Sequence, residues 1–360
     1  MKVIVGMSGG VDSSTAAVLL QRQGHQVTGV TMAIWKESSP YRGGDRESCF
    51  GPGEEISQAA AKKVCDSLGI PFLVFDCAQE YEKEVIAYFR REYLAGRTPN
   101  PCVQCNGRVK FGMLPRLARE AGVEFDAFAT GHYARVEQGG NGRMQLLRAK
   151  CLPKDQSYFL CRLTQEQLRH QLFPLGGLAK EEVRALAREA GLDVAEKQDS
   201  QDFYSGDANE LIGEEDRPGD IVEAGTGRLL GRHTGYWKYT IGQRKGLGVA
   251  STRPLYVTAI DPCRNRVVLG GQELVLHHSL EAEEMNWISL EPPAGPLECQ
   301  VKVRSVQRPE PCLIIPRTDG TVHAEFPGGI HAVAPGQAAV FYQDDLVLGG
   351  GFIRSASASA

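Results

Sequence analysis

Apolar residues in the first half of the chain form short runs that alternate with longer amphipathic segments. Four of the runs predict buried strands, at 2–7, 26–35, 71–76 and 126–132. The amphipathic segments predict helices that end at glycines, namely Gly24, Gly69 and Gly96, and a further helix at 178–191. This alternation is typical of a doubly wound parallel sheet covered by helices on both faces.

The hydrophobic pattern changes after about residue 205. Glycine, proline and short alternating runs replace the helical segments, and turn sequences such as Thr318-Asp319-Gly320 separate the runs. This half of the chain therefore predicts one or two small β-barrels.

Composition narrows the class of protein. The chain has 360 residues and a net charge of −4, so a polyanionic partner would need a local basic patch. No run of about 18 apolar residues predicts a membrane span, and the start MKVIVGM does not resemble a signal peptide. We therefore expect a cytoplasmic protein without a membrane partner, whose ten cysteines are reduced.

The stretch GMSGGVDSS lies between the first predicted strand and the first predicted helix. Gly9 and Gly10 allow backbone N–H groups to approach an anion, and the helix N-terminus attracts negative charge. Asp12 can hold Mg²⁺ against phosphates. The stretch lacks the G-K-[ST] of a Walker loop. The alternative is an ordinary glycine-rich turn.

The stretch RTPNPCVQCNGRVKF contains two cysteines three residues apart, Cys102 and Cys105. Arg108 and Lys110 follow, and nearby cations lower the pKa of a thiol. The sequence therefore predicts that Cys105 is a thiolate at neutral pH and can act as a nucleophile. The alternative is an inert loop cysteine.

These motifs together resemble a known family. SGGVDS is similar to the PP-loop of ATP pyrophosphatases, which transfer AMP to an oxygen and release pyrophosphate. With GRTPNPCVQCNGRVKF, ATGHYAR, KDQSYFL, TIGQRKGLG and PGQAAVFYQDDLVLGGG, the chain resembles the bacterial tRNA-specific 2-thiouridylases over nearly its whole length. That family places sulfur on C2 of the wobble uridine, U34, of tRNA.

The resemblance implies an α/β region followed by β domains. We expect a PP-loop domain at 1–205, a central β domain at 206–275, a C-terminal β-barrel at 276–355 and a disordered tail at 356–360.

The resemblance also implies site residues. The ATP site would comprise Gly6, Met7, Ser8, Gly9, Gly10, Val11, Asp12, Ser13, Met32 and Gly131. The tRNA contacts would comprise Asn100, Pro101, Cys102, His132, Lys154, Asp155, Gln156, Arg304, Ser305 and Gln337. Cys105 takes the place of the reactive cysteine, and Cys102 and Asp12 complete the expected catalytic set.

The chain departs from the family pattern at one cysteine. The element that usually carries a persulfide reads KQDSQDFYSG, with Tyr204 in place of the cysteine. Three explanations remain open, of which we expect the first. Cys102 and Cys105 could hold a [4Fe–4S] cluster with a third cysteine, Cys49 or Cys151. Cys102 could instead replace the lost persulfide partner and form a disulfide with Cys105, or the pair could bind structural zinc.

The implied cofactors are ATP and Mg²⁺, and the implied partners are the anticodon stem-loop of tRNA and a sulfur donor. That donor would be sulfide, a cysteine desulfurase or a relay protein. Two segments rich in Lys and Arg and free of acidic residues, 97–119 and 228–245, predict phosphate-binding surfaces. Tyr236, Trp237 and Tyr239 could stack on bases or belong to the core. Rival functions are an amide-forming ATP pyrophosphatase and a tRNA-binding paralogue without activity.

Overall fold

The computed structural model of the chain describes residues 1–44, 48–197 and 203–358. It divides into two compact units. Unit 1 contains the described residues of Met1–Ile86, Pro101–Glu210 and Asp345–Val347, and unit 2 contains the other described residues. None of the helices in these residues combines the length and the apolar character that a membrane span needs.

The helices are short, and most lie in the first half of the chain. Their bounds are α1 Val11–Arg22, α2 Glu54–Leu68, α3 Ala78–Tyr81, α4 Ala87–Leu94, α5 Pro101–Cys105, α6 Leu114–Glu120, α7 Gln165–Arg169, α8 Lys180–Glu189 and α9 Ala208–Ile212. Two π-helical segments occupy Glu82–Ile86 and Asn106–Met113. Single 3₁₀ turns occupy Leu152–Lys154, Ser157–Leu160, Asp193–Glu196, Tyr236–Lys238 and Gln272–Val275.

The strands of unit 1 are β1 Lys2–Gly6, β2 Gln26–Ala33, β3 Phe72–Asp76, β4 Ala127–Thr130, β5 Ala134–Gln138, β6 Met144–Arg148 and β7 Gln171–Leu172. Five of them form a parallel sheet in the order β3-β2-β1-β4-β7. The predicted parallel sheet is therefore confirmed. The direction in which successive strands are added changes between β1 and β4, and α/β folds bind their ligands at such a switch point.

Both faces of this sheet are covered. Val3 and Val5 of β1 belong to a buried cluster that also contains Ala17 of α1 and Val64 of α2. Because successive side chains of a strand point to opposite faces, Ile4 lies on the other face. There it pairs in register with Phe128 of β4, whose ring contacts Phe111 of the π-helical segment.

Local sequence explains the helix ends that the pattern predicts. Helix α2 begins with Glu54 and Glu55, which complement the positive end of the helix dipole. It ends at Gly69, whose φ of +65° is readily adopted only by glycine. The helix predicted to end at Gly96 is instead three segments, because the π-helical turn Glu82–Ile86 separates α3 from α4. The β5–β6 hairpin was not predicted.

Unit 2 contains two antiparallel or mixed β structures. A four-stranded sheet has the order β10-β11-β8-β9, with β8 Gly219–Glu223, β9 Leu229–His233, β10 Tyr256–Asp261 and β11 Arg266–Gly270. The remaining strands are β12 Leu276–Trp287, β13 Leu297–Lys302, β14 Glu310–Pro316, β15 Val322–His331, β16 Ala338–Gln343 and β17 Leu346–Ser357.

These last six strands close into a barrel. They follow the order β12-β15-β14-β13-β16-β17, and β12 also pairs with β17. The predicted central β domain and C-terminal barrel are thus both present. The tail differs from expectation, because residues 356 and 357 continue β17 and pair with β12.

Candidate active site

The predicted phosphate loop connects the carboxyl end of β1 to the first turn of α1. The Ser8 backbone N–H donates to the Ser13 Oγ at 3.1 Å, and the Ser8 and Ser13 hydroxyls are also 3.1 Å apart. Gly9 has a φ of +71°, and a Cβ there would lie 2.3 Å from the Ser57 carbonyl oxygen. Glycine is therefore required at position 9, whereas a Cβ at Gly10 would meet only the Ser8 Oγ at 3.5 Å.

Asp12, the predicted Mg²⁺ ligand, already has two partners. Lys180 Nζ lies 2.7 Å from Oδ1 and 2.9 Å from Oδ2 of Asp12, and the Tyr133 hydroxyl donates to Oδ1 at 2.8 Å. The Asp12 side chain remains 27 % exposed. A carboxylate has about four acceptor positions, so Asp12 retains capacity for Mg²⁺, which takes one or two carboxylates and fills its other positions with phosphate and water.

Gly131 lies directly beside the phosphate loop. A Cβ at this position would come within 2.6 Å of the Ser13 nitrogen and 2.7 Å of the Asp12 carbonyl carbon. Gly131 follows the carboxyl end of β4, so the close approach brings the ends of β1 and β4 together. This placement agrees with the predicted role of Gly131 in lining the nucleotide site, which stays a prediction.

Met32 lies at the carboxyl end of β2 and is half-buried. The two residues that follow β2 are fixed by Glu54, whose carboxylate accepts from the Ile34 N–H at 2.8 Å and the Trp35 N–H at 2.7 Å. Burial raises the pKa of Glu54 to about 7, although both hydrogen bonds oppose the rise. The segment next to Met32, a residue expected in the ATP site, is therefore held by a buried carboxyl group.

The two cysteines lie on a short helix that changes its winding. Cys102 and Cys105 belong to α5, and the chain continues from Cys105 into the π-helical segment Asn106–Met113. Positions i and i+3 lie on the same helix face, so both half-buried thiols are on one side. The Asn106 side chain fixes the junction by donating to the Phe159 carbonyl oxygen at 3.1 Å. π-Helical turns occur frequently at functional sites.

The predicted thiolate at Cys105 is wrong for this structure. Burial raises the pKa of the Cys105 thiol to about 11, and the ammonium and backbone N–H of Lys110 offset only part of that rise. Arg108 does not contribute, and it is exposed. The desolvation of the thiol outweighs the nearby cation, so Cys105 is protonated at neutral pH.

His132 connects the cysteine segment to the end of β4. Its ring lies 5.5 Å from the Phe111 ring, and its Nδ1 is 2.8 Å from the Thr130 hydroxyl. Burial lowers the pKa of His132 well below its usual value, and Lys110 lowers it further. Lys110 thus affects both His132 and Cys105, while Gly131 adjoins Asp12 and Ser13. The cysteine segment and the phosphate loop therefore lie at the same edge of the sheet.

Cys49 and Tyr204 lie near the other thiols. Tyr204 forms a bridge with Phe50, the residue after Cys49, and the Phe50 ring stacks on Tyr81 at 5.1 Å. Burial raises the pKa of Tyr81, and the charges of the neighbouring Cys105, Cys49 and Cys102 raise it further. The Tyr204 hydroxyl donates to Glu210 and accepts from the Gly43 N–H at 2.9 Å.

The thiols are not arranged as metal ligands. In residues 1–44, 48–197 and 203–358, no group of three or more His, Cys, Asp or Glu side chains is placed to hold a metal ion. The predicted cluster ligands Cys49, Cys102 and Cys105 therefore do not fit a three-cysteine site in this arrangement. Part of the element that would carry the persulfide, 198–202, lies outside the described residues.

The predicted tRNA contacts in unit 1 differ in their exposure. The Asp155 carboxylate accepts from the Ala149 N–H at 3.1 Å and the Ser157 hydroxyl at 3.0 Å, and its side chain is 1 % exposed. The Gln156 Oε1 accepts from the Tyr133 N–H at 2.9 Å. Both side chains therefore stabilise the loop, whereas Lys154 is half-buried. Direct contact of these residues with tRNA stays a prediction.

Four of the predicted tRNA contacts lie in unit 2, namely Asn100, Arg304, Ser305 and Gln337. Pro101 and Cys102 lie in unit 1. The Gln337 side chain donates to the Thr98 and Pro99 carbonyl oxygens, both at 3.0 Å, and so fixes the backbone next to Asn100. Arg304 donates to the Ala332 carbonyl oxygen, and Ser305 is half-buried. Their contacts with RNA also stay predictions.

The two basic segments, 97–119 and 228–245, offer fewer unpaired cations to phosphates than their composition predicts. Acidic residues outside or beside the segments neutralise several of their cations, in the pairs Arg97–Glu92, Arg116–Glu120, Arg228–Glu223, Arg232–Asp220 and Lys238–Asp216. Arg108, Arg244 and Lys245 are exposed and form no ion pair with a described residue. Tyr236 and Trp237 are buried and belong to the core rather than to a stacking surface.

Sequence reasoning missed Lys180 and Tyr133. Lys180 occurs in a segment predicted only as a helix, and Tyr133 follows the ATGH motif without a role of its own. A possible signal was the lysine at the start of a helix, where the helix dipole disfavours a cation.

Family profiles match the chain in three consecutive segments. The profile described as a tRNA methyl transferase HUP domain matches residues 1–204, the tRNA methyl transferase PRC-barrel domain matches 209–271, and the aminomethyltransferase β-barrel domain matches 277–353.

Relatives match over nearly the full length. The tRNA-specific 2-thiouridylase MnmA of Endomicrobium trichonymphae is 47% identical over 357 residues, covering 98% of this chain and 99% of its own. Proteins of the same name from Chloroflexus aurantiacus and Clostridium perfringens are 46% and 44% identical, and each alignment covers 98% of both chains.

Solved structures match less closely. A 4-thiouridine synthetase in complex with RNA and bound ATP has a TM-score of 0.36 and 18% identity, covering 59% of this chain and 45% of its own. The NMN synthetase of Francisella tularensis has a TM-score of 0.35 and 16% identity, covering 58% of this chain and 71% of its own.

Proposed function

Because the chain belongs to the family of bacterial tRNA-specific 2-thiouridylases, we propose that it catalyses the ATP-dependent 2-thiolation of U34 in tRNA. The observation that carries the proposal is the convergence of a phosphate loop and a CxxC helix on one edge of the parallel sheet. Gly131 beside Asp12, and His132 beside Phe111, connect the two. An anion site next to paired thiols is what activation by AMP followed by sulfur attack requires.

ATP would bind with its phosphates at the loop from Gly6 to Ser13. The N–H groups at the start of α1 and the Ser8 and Ser13 hydroxyls supply donors. Asp12 would hold Mg²⁺, which neutralises phosphate charge. The uridine O2 attacks the α-phosphorus and pyrophosphate leaves, so that C2 acquires a good leaving group.

Sulfur would then reach C2 from the cysteine helix. A sulfane-sulfur donor, the persulfide of a cysteine desulfurase or of a relay protein, transfers its outer sulfur to Cys102, and the donor cysteine leaves as its thiol. The terminal sulfur of the Cys102 persulfide attacks C2, a C–S bond forms, and the C2–O bond to AMP breaks. Cys105 loses its proton to water and attacks the inner Cys102 sulfur, so the S–S bond breaks, the thiocarbonyl remains on the base and a Cys102–Cys105 disulfide forms. A dithiol reductant then restores both thiols.

The arrangement of the thiols favours this relay over the cluster. Both cysteines lie on one helix face three residues apart, with Cβ atoms about 5–6 Å from each other at that spacing. A disulfide needs about 4 Å, so its formation requires a small local adjustment. The described residues offer no group of three or more metal ligands, which an iron–sulfur cluster would need.

Each unit has exposed cations that no described acidic residue neutralises, and these would bind RNA phosphates. Arg108 in unit 1 and Arg244 and Lys245 in unit 2 are exposed and meet this condition among the described residues. They are expected to contact phosphates of the anticodon stem-loop, and each lost contact should reduce the salt dependence of tRNA binding.

The test is an anaerobic assay with tRNA, Mg²⁺, ATP, a dithiol reductant and a cysteine desulfurase with cysteine as the sulfane-sulfur source. A parallel reaction with sulfide, which cannot form a persulfide without an oxidant, tests the cluster route. Pyrophosphate release and 2-thiouridine are measured separately. We expect Cys105→Ser and Cys102→Ser to release pyrophosphate but to form less than about 1% of the thiolated product, because Cys102 carries the sulfur, Cys105 releases it, and neither takes part in the activation. Cys263→Ser, which changes an exposed thiol in unit 2, is the matched control.

The outcomes separate the rival proposals. Iron and acid-labile sulfide in the anaerobically purified protein, together with activity that depends on them, would replace the relay with the cluster. Binding of tRNA without pyrophosphate release or product under any condition would favour a non-catalytic tRNA-binding protein. Product formed by Cys105→Ser at the wild-type rate would exclude both sulfur routes through Cys105.

A further inference from the structure

A buried lysine makes an ion pair inside the phosphate loop that neither the sequence motifs nor the resemblance assigns. Lys180 Nζ contacts both carboxylate oxygens of Asp12, at 2.7 Å and 2.9 Å. The Lys180 side chain is 8 % exposed. Its Nζ also lies 5.8 Å from the centroid of the Tyr133 ring, a cation–π distance.

The position of this lysine is unfavourable without a specific partner. Lys180 is the first residue of α8, where the positive end of the helix dipole disfavours a cation, and burial of an ammonium group is costly. Helix α8 packs against α1 through buried Ala16 and Val183. The packing of α8 on α1 therefore fixes the lysine next to Asp12.

The carboxylate of Asp12 is unfavourable for the binding of an anionic ligand. It is the second residue of α1, within the loop whose N–H groups are positioned for phosphate. An uncompensated carboxylate there would repel a polyphosphate, and the repulsion between unit charges a few ångströms apart is large in a partly desolvated site. Lys180 offsets this repulsion, because the Asp12–Lys180 pair carries no net charge.

We propose that Lys180 is a positioning residue of the ATP site, which holds and neutralises Asp12 so that the loop can accept the phosphates of ATP. The inference rests on the proposed function only in naming ATP as the ligand. Two other roles are distinguishable from it. A direct contact of Lys180 with the phosphates would not depend on Asp12, and a purely structural role would affect folding but not affinity.

The experiment is a double-mutant cycle on the full chain, with ATP binding measured by calorimetry in the presence of Mg²⁺ and again in its absence. We expect Lys180→Met to raise the dissociation constant for ATP on the order of tenfold. In the Asp12→Asn background the same lysine substitution is expected to change the dissociation constant by less than about threefold, because the carboxylate that Lys180 holds is gone. Lys180→Arg, which keeps the charge, is expected to remain within about threefold of wild type.

Thermal unfolding of each variant accompanies the titrations. If Lys180→Met alone does not fold, the change of affinity from Asp12→Asn to the double variant still decides, because the double variant leaves neither charge of the pair behind. A loss of about tenfold between these two variants overturns the inference in favour of direct phosphate contact. Equal affinities of Lys180→Met and wild type also overturn it, whereas a wild-type protein that does not bind ATP contradicts the proposed function itself.

Discussion

The phosphate loop and the cysteine segment lie at one edge of the unit 1 sheet, but different forces shape them. Backbone conformation defines the loop, since Gly9 requires a positive φ and Gly131 must approach Asp12 and Ser13 without a Cβ. Burial defines the cysteine segment, where a half-buried thiol and a neutral His132 lie beside Lys110. The loop is ready for its anion before it binds, whereas the cysteine must lose a proton before it can react.

The largest expected effect separates two adjacent glycines of the loop. Gly9→Ala places a Cβ 2.3 Å from the Ser57 carbonyl oxygen and forces a φ of +71° on a side chain that disfavours it. We expect a loss of about 3 kcal/mol in the free energy of unfolding, measured by urea titration, with loss of ATP binding.

Gly10→Ala is the matched control for that substitution. Its new Cβ would meet the Ser8 Oγ at an ordinary 3.5 Å, and the φ of −101° suits any residue. We expect a change below about 1 kcal/mol. Equal destabilisation by the two substitutions would show that backbone geometry does not define the loop as described.

The second prediction concerns pH at the cysteine segment. Because the pKa of the Cys105 thiol is raised to about 11, the thiolate fraction increases as pH rises and remains small throughout the neutral range. We expect the rate of Cys105 alkylation by iodoacetamide, followed by peptide mass spectrometry, to rise about tenfold per pH unit from 7 to 9. A rate that is already constant above pH 7 would show a low-pKa thiolate and restore the sequence-based prediction.

The contrast also explains which features the sequence could predict. The strand, glycine loop and helix of residues 2–22 follow from local patterns, because each depends on the conformation of neighbouring residues. The parallel direction of the strands follows from the α/β alternation, whereas their order β3-β2-β1-β4-β7 was not predicted. The partner of Asp12 did not follow, because Lys180 is 168 positions away in sequence and reaches it only through the packing of α8 on α1.

The error at Cys105 has the same origin. Arg108 and Lys110 are close in sequence and suggested a lowered thiol pKa. The winding of the π-helical segment exposes Arg108, and burial of the thiol then outweighs the effect of Lys110. The pairing of basic residues with acids such as Glu92 and Glu223 was equally invisible from composition. Local patterns thus predicted elements, while desolvation and long-range ion pairs required coordinates.

A third, smaller effect tests how the neighbourhood of the thiols is held. Tyr204→Phe removes the hydroxyl that donates to Glu210 and accepts from the Gly43 N–H. We expect a loss of about 1 kcal/mol in the free energy of unfolding, because two polar groups lose a partner while the ring contacts remain. Unchanged stability would mean that water replaces the hydroxyl and that this hydrogen bond does not hold the segment.

The smallest expected effect distinguishes the two cations that follow Cys105. Lys110→Met removes a charge that lowers the thiol pKa, so the pKa should rise further and alkylation of Cys105 at pH 8 should slow by about threefold. Arg108→Met removes an exposed charge that does not affect the thiol and should leave the rate unchanged. The alkylation rate of exposed Cys49 in the same samples serves as an internal reference. Equal slowing by both substitutions would indicate that both cations act on Cys105 from a distance. The π-helical winding would then not be the reason why Lys110 affects the thiol and Arg108 does not.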